Sequence, residues 1–318
     1  MDKSFKRFDE QINILKSRKL IIDNDEYVTD ILSQINYYNV INGYKSIFLK
    51  RDLNGVLVSP EEFKQGTTFE ELYSLYLMDF ELKKTIFPVL LRFEKLLKTA
   101  CAYFFSEKYT EDYSYLQMKN YSNDASNLTS VLKNIATLSN LVSSNNKNTG
   151  KPAIKHYIDE YSNVPLWVLI NFLTLGNISY FYNSLENSLQ SMIAKAFSTR
   201  YKKDYSSKEK IEAGEIIEIL KISNYFRNII AHDEVMYSFK IRKVSSTQKF
   251  KKYFNNDYNG ETLFDLVMLL KLVLPKEEHN LLILEIKDIF SRFEKCFKTV
   301  KIEEVMELAG FKSNWEQI

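Results

Sequence analysis

The chain contains three histidines, His156, His232 and His279, so proton transfer by imidazole near neutral pH can be considered residue by residue. His232 stands apart. It follows the apolar run within FRNIIAHDE, where Arg227, Asn228 and His232 gather at the end of a helical pattern. Asn224, Asn228 and His232 are four apart and share a face if the segment is helical. Arg227 and His232 are five apart, which on a helix separates them by roughly 140° around the axis and about 7.5 Å along it. One copy is therefore a poor site unless the helix stops before His232. A two-fold dimer would bring the same patch from two subunits into one cleft, and a homodimer with a composite site is the expectation.

These groups suit RNA transesterification, in which a 2′-hydroxyl attacks the neighbouring phosphorus. Imidazole moves the proton, and guanidinium matches the phosphate oxygens two at a time. A structural alternative exists for each residue. Arg227 could pair with a carboxylate, Asn228 could cap a helix end, and His232 could sit against the negative end of the helix dipole. Downstream lies FKIRKVSSTQKFKKYF, in which Lys240, Arg242, Lys243, Lys249, Lys251 and Lys252 occur without an acid and alternate with Phe239, Phe250, Tyr253 and Phe254. Cations that track phosphates and rings that stack on unpaired bases are what single-stranded RNA requires; a solvated charged face is the other reading. No His, Cys, Asp or Glu cluster has metal-ligand spacing, Asp233-Glu234 beside His232 being a weak pair, so metal-independent chemistry without a cofactor is expected.

The elements that must position these residues read as helices. With 318 residues, 45% of them hydrophobic, but only 8 Gly and 5 Pro, the chain can bury a large core yet lacks the turn residues of a many-stranded sheet. The expected fold is all-α, a compact helical bundle, with a small β-hairpin near residues 47–58 pairing Ile47–Leu49 with Val56–Val58. Residues 1–65 are expected to form an N-terminal helical lobe packed on a core of residues 66–318. Thr68 with Glu71 has capping-box spacing at the start of a long apolar pattern. Pro88 predicts a kink or two consecutive helices. Ser143–Pro152 reads as a loop, Pro165 opens a helix that Gly176 closes, and Ser207 to about His232 is the most regular segment.

Cys101 and Cys296 sit in helix-patterned apolar surroundings and are expected to be core filler in a reducing compartment. The N-terminus has no apolar signal segment, and Pro165–Gly176 is too short to span a bilayer, so a cytoplasmic protein is expected. The formal net charge of +2 does not itself predict a polyanion partner.

RNIIAH, Arg227–His232, resembles the R-x4-H signature of HEPN ribonucleases in the R-N-x-x-A-H form of abortive-infection (Abi) proteins. NYYNVINGY (36–44), TTFEELYSLYLMDFELKK (67–84), VPLWVLINFLTLGNISYFY (164–182) and AGFKSNW (309–315) resemble blocks of the same family in the same order. The resemblance spans nearly the whole chain and is nearest the AbiD/AbiF-like group. It implies an all-α core of HEPN type, metal-independent endoribonuclease activity, and toxicity that halts phage propagation. It also implies a toxin-antitoxin arrangement in which a small non-coding RNA holds the nuclease in check. By the same resemblance Arg227 and His232 match the catalytic pair, Asn228 the polar residue beside the arginine, and Glu94 a supporting helix acid. Lys83, Lys84 and Lys98 stand where many relatives carry arginine, which would weaken phosphate contacts. Tyr37, Tyr38, Tyr44 and Trp167 fall in the matching blocks and are assigned to packing. A non-catalytic RNA-binding module is the alternative function, and a sensor of a phage protein is a third.

Overall fold

Apolar residues at three- and four-residue spacing give helices along the chain. The computed structural model describes residues 4–145, 151–242, 247–254 and 258–317. Its α-helices are α1 (Phe8–Ser17), α2 (Asp25–Gln34), α3 (Phe69–Lys108), α4 (Leu128–Asn145), α5 (Pro152–Tyr161), α6 (Leu166–Leu169), α7 (Leu175–Ser184), α8 (Asn187–Tyr205), α9 (Ala213–Ala231), α10 (Lys251–Phe254), α11 (Leu263–Val273), α12 (Lys276–Glu294) and α13 (Ile302–Leu308). Among the described residues only isolated bridges are of β type, so the fold is all-α.

The spine is α3, whose 40 residues span about 60 Å. It packs against α6, α7, α8, α9 and α12. Pro88 lies inside it without dividing it into two helices. The ring is on the exposed side, while buried Ile86, Leu90 and Phe93 hold the opposite face in the core, and this packing offsets the one missing backbone bond. Thr68 caps the helix by accepting from the Glu71 amide at 3.2 Å. The reciprocal half of the expected capping box is absent, because the buried Glu71 carboxylate instead accepts from the amides of Lys298 and Thr299 at 2.8 and 2.6 Å.

The reversal expected near residues 47–58 is present as a turn rather than a hairpin of strands. Ile47 belongs to a 3-10 turn, Lys45–Phe48, and the contacts are single bridges, Arg51 with Leu57 and Leu49 with Phe63. One buried cluster runs from Ile12 to Trp315, and residues on either side of position 65 share it. The Phe63 amide bonds the Arg18 carbonyl at 2.8 Å, and the Ile21 amide bonds that of Thr67 at 2.9 Å. Of the expected 143–152 loop, residues 143–145 complete α4 and Pro152 opens α5; residues 146–150 lie outside the described residues. Gly176 does not close a helix. It falls in the first turn of α7, capped by Thr174.

Three residues assigned to the core are at the surface. Cys101 is buried but Cys296 is exposed. Tyr38, in the single π-type turn Tyr38–Asn42, and Trp167, in the four-residue α6, are also exposed, since such short segments present only one face to the core, whereas Tyr44 is buried as expected. No helix among the described residues is long and apolar enough to cross a membrane.

His279, at the start of α12, is buried with its Nε2 3.0 Å from the Val267 carbonyl oxygen. That oxygen only accepts, so Nε2 carries the proton. Burial lowers the imidazole pKa to about 4, against about 6.5 for an unfolded histidine. A base whose folded pKa lies below its unfolded value stabilises the fold above the unfolded pKa, and that contribution is lost as pH falls toward the folded one. At roughly 1.4 kcal/mol per unit, lowering pH from 7 to 4.5 should cost about 2 to 3 kcal/mol through this residue. Urea titrations should find the pH dependence flattened by that amount in His279→Gln; identical slopes in the two proteins would remove His279 as the cause.

Candidate functional site

The helix that carries the polar trio is α9, and its C-terminal closure decides where they point. The His232 amide bonds the Asn228 carbonyl at 3.0 Å, the Asp233 amide bonds Ile230 at 3.2 Å, and the Glu234 amide bonds Ile229 at 2.9 Å. The last two bonds, with Asp233 at φ +51°, make a Schellman closure in which aspartate takes the left-handed position usually given to glycine. That conformation costs a non-glycine residue about 1 to 2 kcal/mol. Lys83 of α3 donates to the Asp233 carboxylate at 2.8 Å and offsets part of it. The helix thus stops at Ala231, and His232 becomes the cap residue, still tied to the last turn by its amide bond to Asn228.

Tyr225, Asn228, Ala231 and His232 are exposed and Arg227 is half-buried. Arg227 makes no ion pair among the described residues. Its Nη1 donates weakly to Asn228 Oδ1 at 3.4 Å, and its Nε has no protein partner. The carboxylate partner of the structural reading is therefore missing, and Asn228 meets the guanidinium rather than capping the helix. His232 does stand at the negative end of the α9 dipole, where an imidazolium is favoured. Asn224, on the same face, is used internally: its amide donates to Ser179 of α7 at 3.2 Å.

Glu94 is held by a neighbour on its own helix. It accepts from Lys98, one turn along α3, at 2.6 Å, and Lys98 reaches the Asn171 carbonyl at 3.4 Å.

The basic stretch next to the trio in sequence returns along α9 to its other end. Phe239 packs edge-on against Phe226 with centroids 5.6 Å apart, Lys240 and Arg242 are exposed, and Lys243 lies outside the described residues. Lys252 pairs at 2.8 Å with Glu215, in the first turn of α9, and donates to the Lys210 carbonyl at 2.7 Å. The Lys249 ammonium lies 3.3 Å from the point a Cβ on Gly214 would occupy. Lys249 and Lys251 are exposed. Since Glu215 precedes Arg227 by twelve residues, Lys252 is displaced from the trio by roughly 18 Å along the axis, and its ammonium is engaged by a carboxylate.

Sequence reasoning missed what holds the trio in place. Asp79 is fully buried and accepts from the amides of Met236 and Tyr237 at 3.0 and 2.7 Å and from the Tyr44 hydroxyl at 2.7 Å. Lys83 lies 3.5 Å from it and bridges to Asp233. Burial holds the Asp79 pKa above the usual carboxylate range, with Lys83 opposing. This cluster ties the segment after His232 to the spine. Its one sequence signal is an acid and a lysine four apart inside an otherwise apolar helix face. Among the described residues no three His, Cys, Asp or Glu side chains come together to hold a metal ion.

Residues 30–238 match the model of a family described as Abi-like protein. The match takes in about two thirds of the chain, including α3 and all of α9, and stops before the basic stretch. Comparison with curated proteins and with solved structures gives no match.

Proposed function

From the premise that the chain belongs to the Abi-like family, we propose that it is a metal-independent endoribonuclease of HEPN type acting in abortive-infection phage defence. The observation that carries this reading is the state of the trio: a guanidinium without an ion pair, a cap imidazole without a hydrogen bond among the described residues, and an exposed amide beside them at the rigid end of α9. A buried guanidinium nitrogen without a partner beside exposed polar side chains is available to a ligand, whereas groups with a structural role would already be paired.

In the proposed reaction one imidazole takes the 2′-hydroxyl proton, O2′ attacks phosphorus, and the P–O5′ bond breaks. A second acid returns a proton to O5′, leaving a 2′,3′-cyclic phosphate and a 5′-hydroxyl. Arg227 compensates the charge that builds on the phosphoryl oxygens. Each subunit has one such imidazole, so the second comes from a symmetry mate, and the site is shared across a homodimer. Incubation of purified protein with end-labelled RNA in EDTA should yield 2′,3′-cyclic phosphate ends. RNA that is bound but left intact would favour a non-catalytic RNA-binding module instead, and RNA that is neither bound nor cut would sink both readings.

A further inference from the structure

We propose that the exposed face of α9 is a track for single-stranded RNA, leading from Lys249 at its N-terminal end to Asn228 and His232 at the other; this rests on the ribonuclease reading and specifies its substrate as a strand of at least about six to eight nucleotides. The periodicity of the helix carries the argument. Gly214, Lys221, Tyr225, Asn228 and His232 are seven, four, three and four apart, a spacing that keeps them on one stripe. Tyr225, Asn228 and His232 are exposed, and Gly214 and Lys221 half-buried. Lys249 lies directly over the start of the stripe, against Gly214, where a larger residue would crowd its ammonium. Lys249 and its exposed neighbour Lys251 make no ion pair among the described residues, whereas Lys252 is drawn inward by Glu215.

Tyr225 stands between the two ends of the stripe and is 41% exposed. An aromatic face flanked by cations is the arrangement that stacks an unpaired base while the phosphates are held on either side. Gly214 and His232 are eighteen residues apart, roughly 27 Å along the axis. At about 3.4 Å per stacked nucleotide, a strand reaching both ends needs some eight nucleotides, or about six if it ends at Asn228. Lys221, which also meets Glu218 at 3.6 Å, lies within this span.

The test uses RNA that cannot react. Single strands with every 2′-hydroxyl methylated, 4, 8 and 12 nucleotides long and labelled at the 5′ end, are titrated with the full chain and followed by fluorescence anisotropy. Affinity should rise about tenfold or more from the 4-mer to the 12-mer. Tyr225→Ala should weaken the 12-mer about tenfold and the 4-mer as well, since the ring lies about three nucleotides from His232, whereas the pair Lys249→Glu/Lys251→Glu should weaken the 12-mer about tenfold and leave the 4-mer unchanged. Tyr225→Phe should bind like the parent. Equal affinity at all lengths, or variants that bind the 12-mer like the parent, would overturn the track. So would a Tyr225→Ala protein that loses its oligomeric state in sedimentation while holding RNA normally, since the ring would then face a second copy. Cleavage of unmodified RNA separates the two ideas: a chain that binds by length but cuts nothing keeps the track and loses the nuclease, and one that cuts 4-mers and 12-mers equally well does the reverse.

Discussion

Replacing His232 by alanine is expected to leave a folded protein that binds RNA and no longer cuts it. The imidazole is exposed on the cap of α9 and no hydrogen bond in the described fold depends on it, so stability should change by no more than about 0.5 to 1 kcal/mol, the range for surface positions and helix-end charges. General acid–base catalysis by a positioned side chain contributes about a hundred- to ten-thousand-fold. Because the proposed two-fold site would use the residue twice, the loss in kcat should lie at the upper end. Single-turnover cleavage of labelled RNA, read beside a thermal melt, checks both halves. Arg227→Lys should also lose most activity despite keeping the charge, since an ammonium cannot hold two phosphoryl oxygens in the fork geometry of a guanidinium. A His232→Ala protein cutting within about tenfold of the parent would mean that the imidazole is not the proton carrier.

Asp79→Ala should be among the most destabilising single changes in the chain. It removes the acceptor for the Met236 and Tyr237 amides and for the Tyr44 hydroxyl. It also leaves Lys83, whose side chain is 5% exposed, with only the half-exposed Asp233 as a counter-charge. Breaking a buried charge pair costs about 3 to 5 kcal/mol, and each unpaired buried donor about 1 to 3 kcal/mol before relaxation. The segment from 233 to 237 can move toward water and recover part of this, so the expected loss is about 4 kcal/mol, a large share of the total for most domains. Urea denaturation would register it as a lower midpoint at unchanged slope. The functional consequence is separate. With the anchor gone, the Schellman closure loses its tie to α3, and RNA cleavage should fall even at low temperature, where the variant remains folded. A variant within 1 kcal/mol of the parent would show that the cluster does not anchor the cap.

Much of the architecture was legible because helices announce themselves locally. The apolar spacing over α3, α9 and α12, the cap at Thr68, and the shortage of Gly and Pro all act within a few residues of where they are read, and hydrophobic periodicity is a property of neighbouring turns. The grouping of Arg227, Asn228 and His232 at the end of an apolar helix was legible for the same reason, and so was the requirement that the helix stop before His232 if one subunit is to use both. What the sequence did not show was the long-range arrangement. Lys249–Lys252 follow the trio closely in sequence, but the chain turns at Asp233 and runs back along α9, so adjacency in sequence became separation by most of a helix length. The roles of the acids were hidden in the same way. Glu71 looked like half of a capping box and Asp233 like a weak metal-ligand candidate, while Asp79 carried no assignment.

The sequence by itself determined the helices, the placement of the polar trio at a helix end, and the family, since each is written in residues close together in the chain or in blocks with a fixed order. Only the tertiary structure decided which polar groups face solvent and which hold the fold together. The partners of Asp79 at Tyr237 and of Glu71 at Thr299 lie 158 and 228 residues away, and a buried carboxylate takes whatever amides the folded backbone brings to it. Propensity has no term for such distant pairings, so the groups that fix the site became visible only when the chain had closed around them.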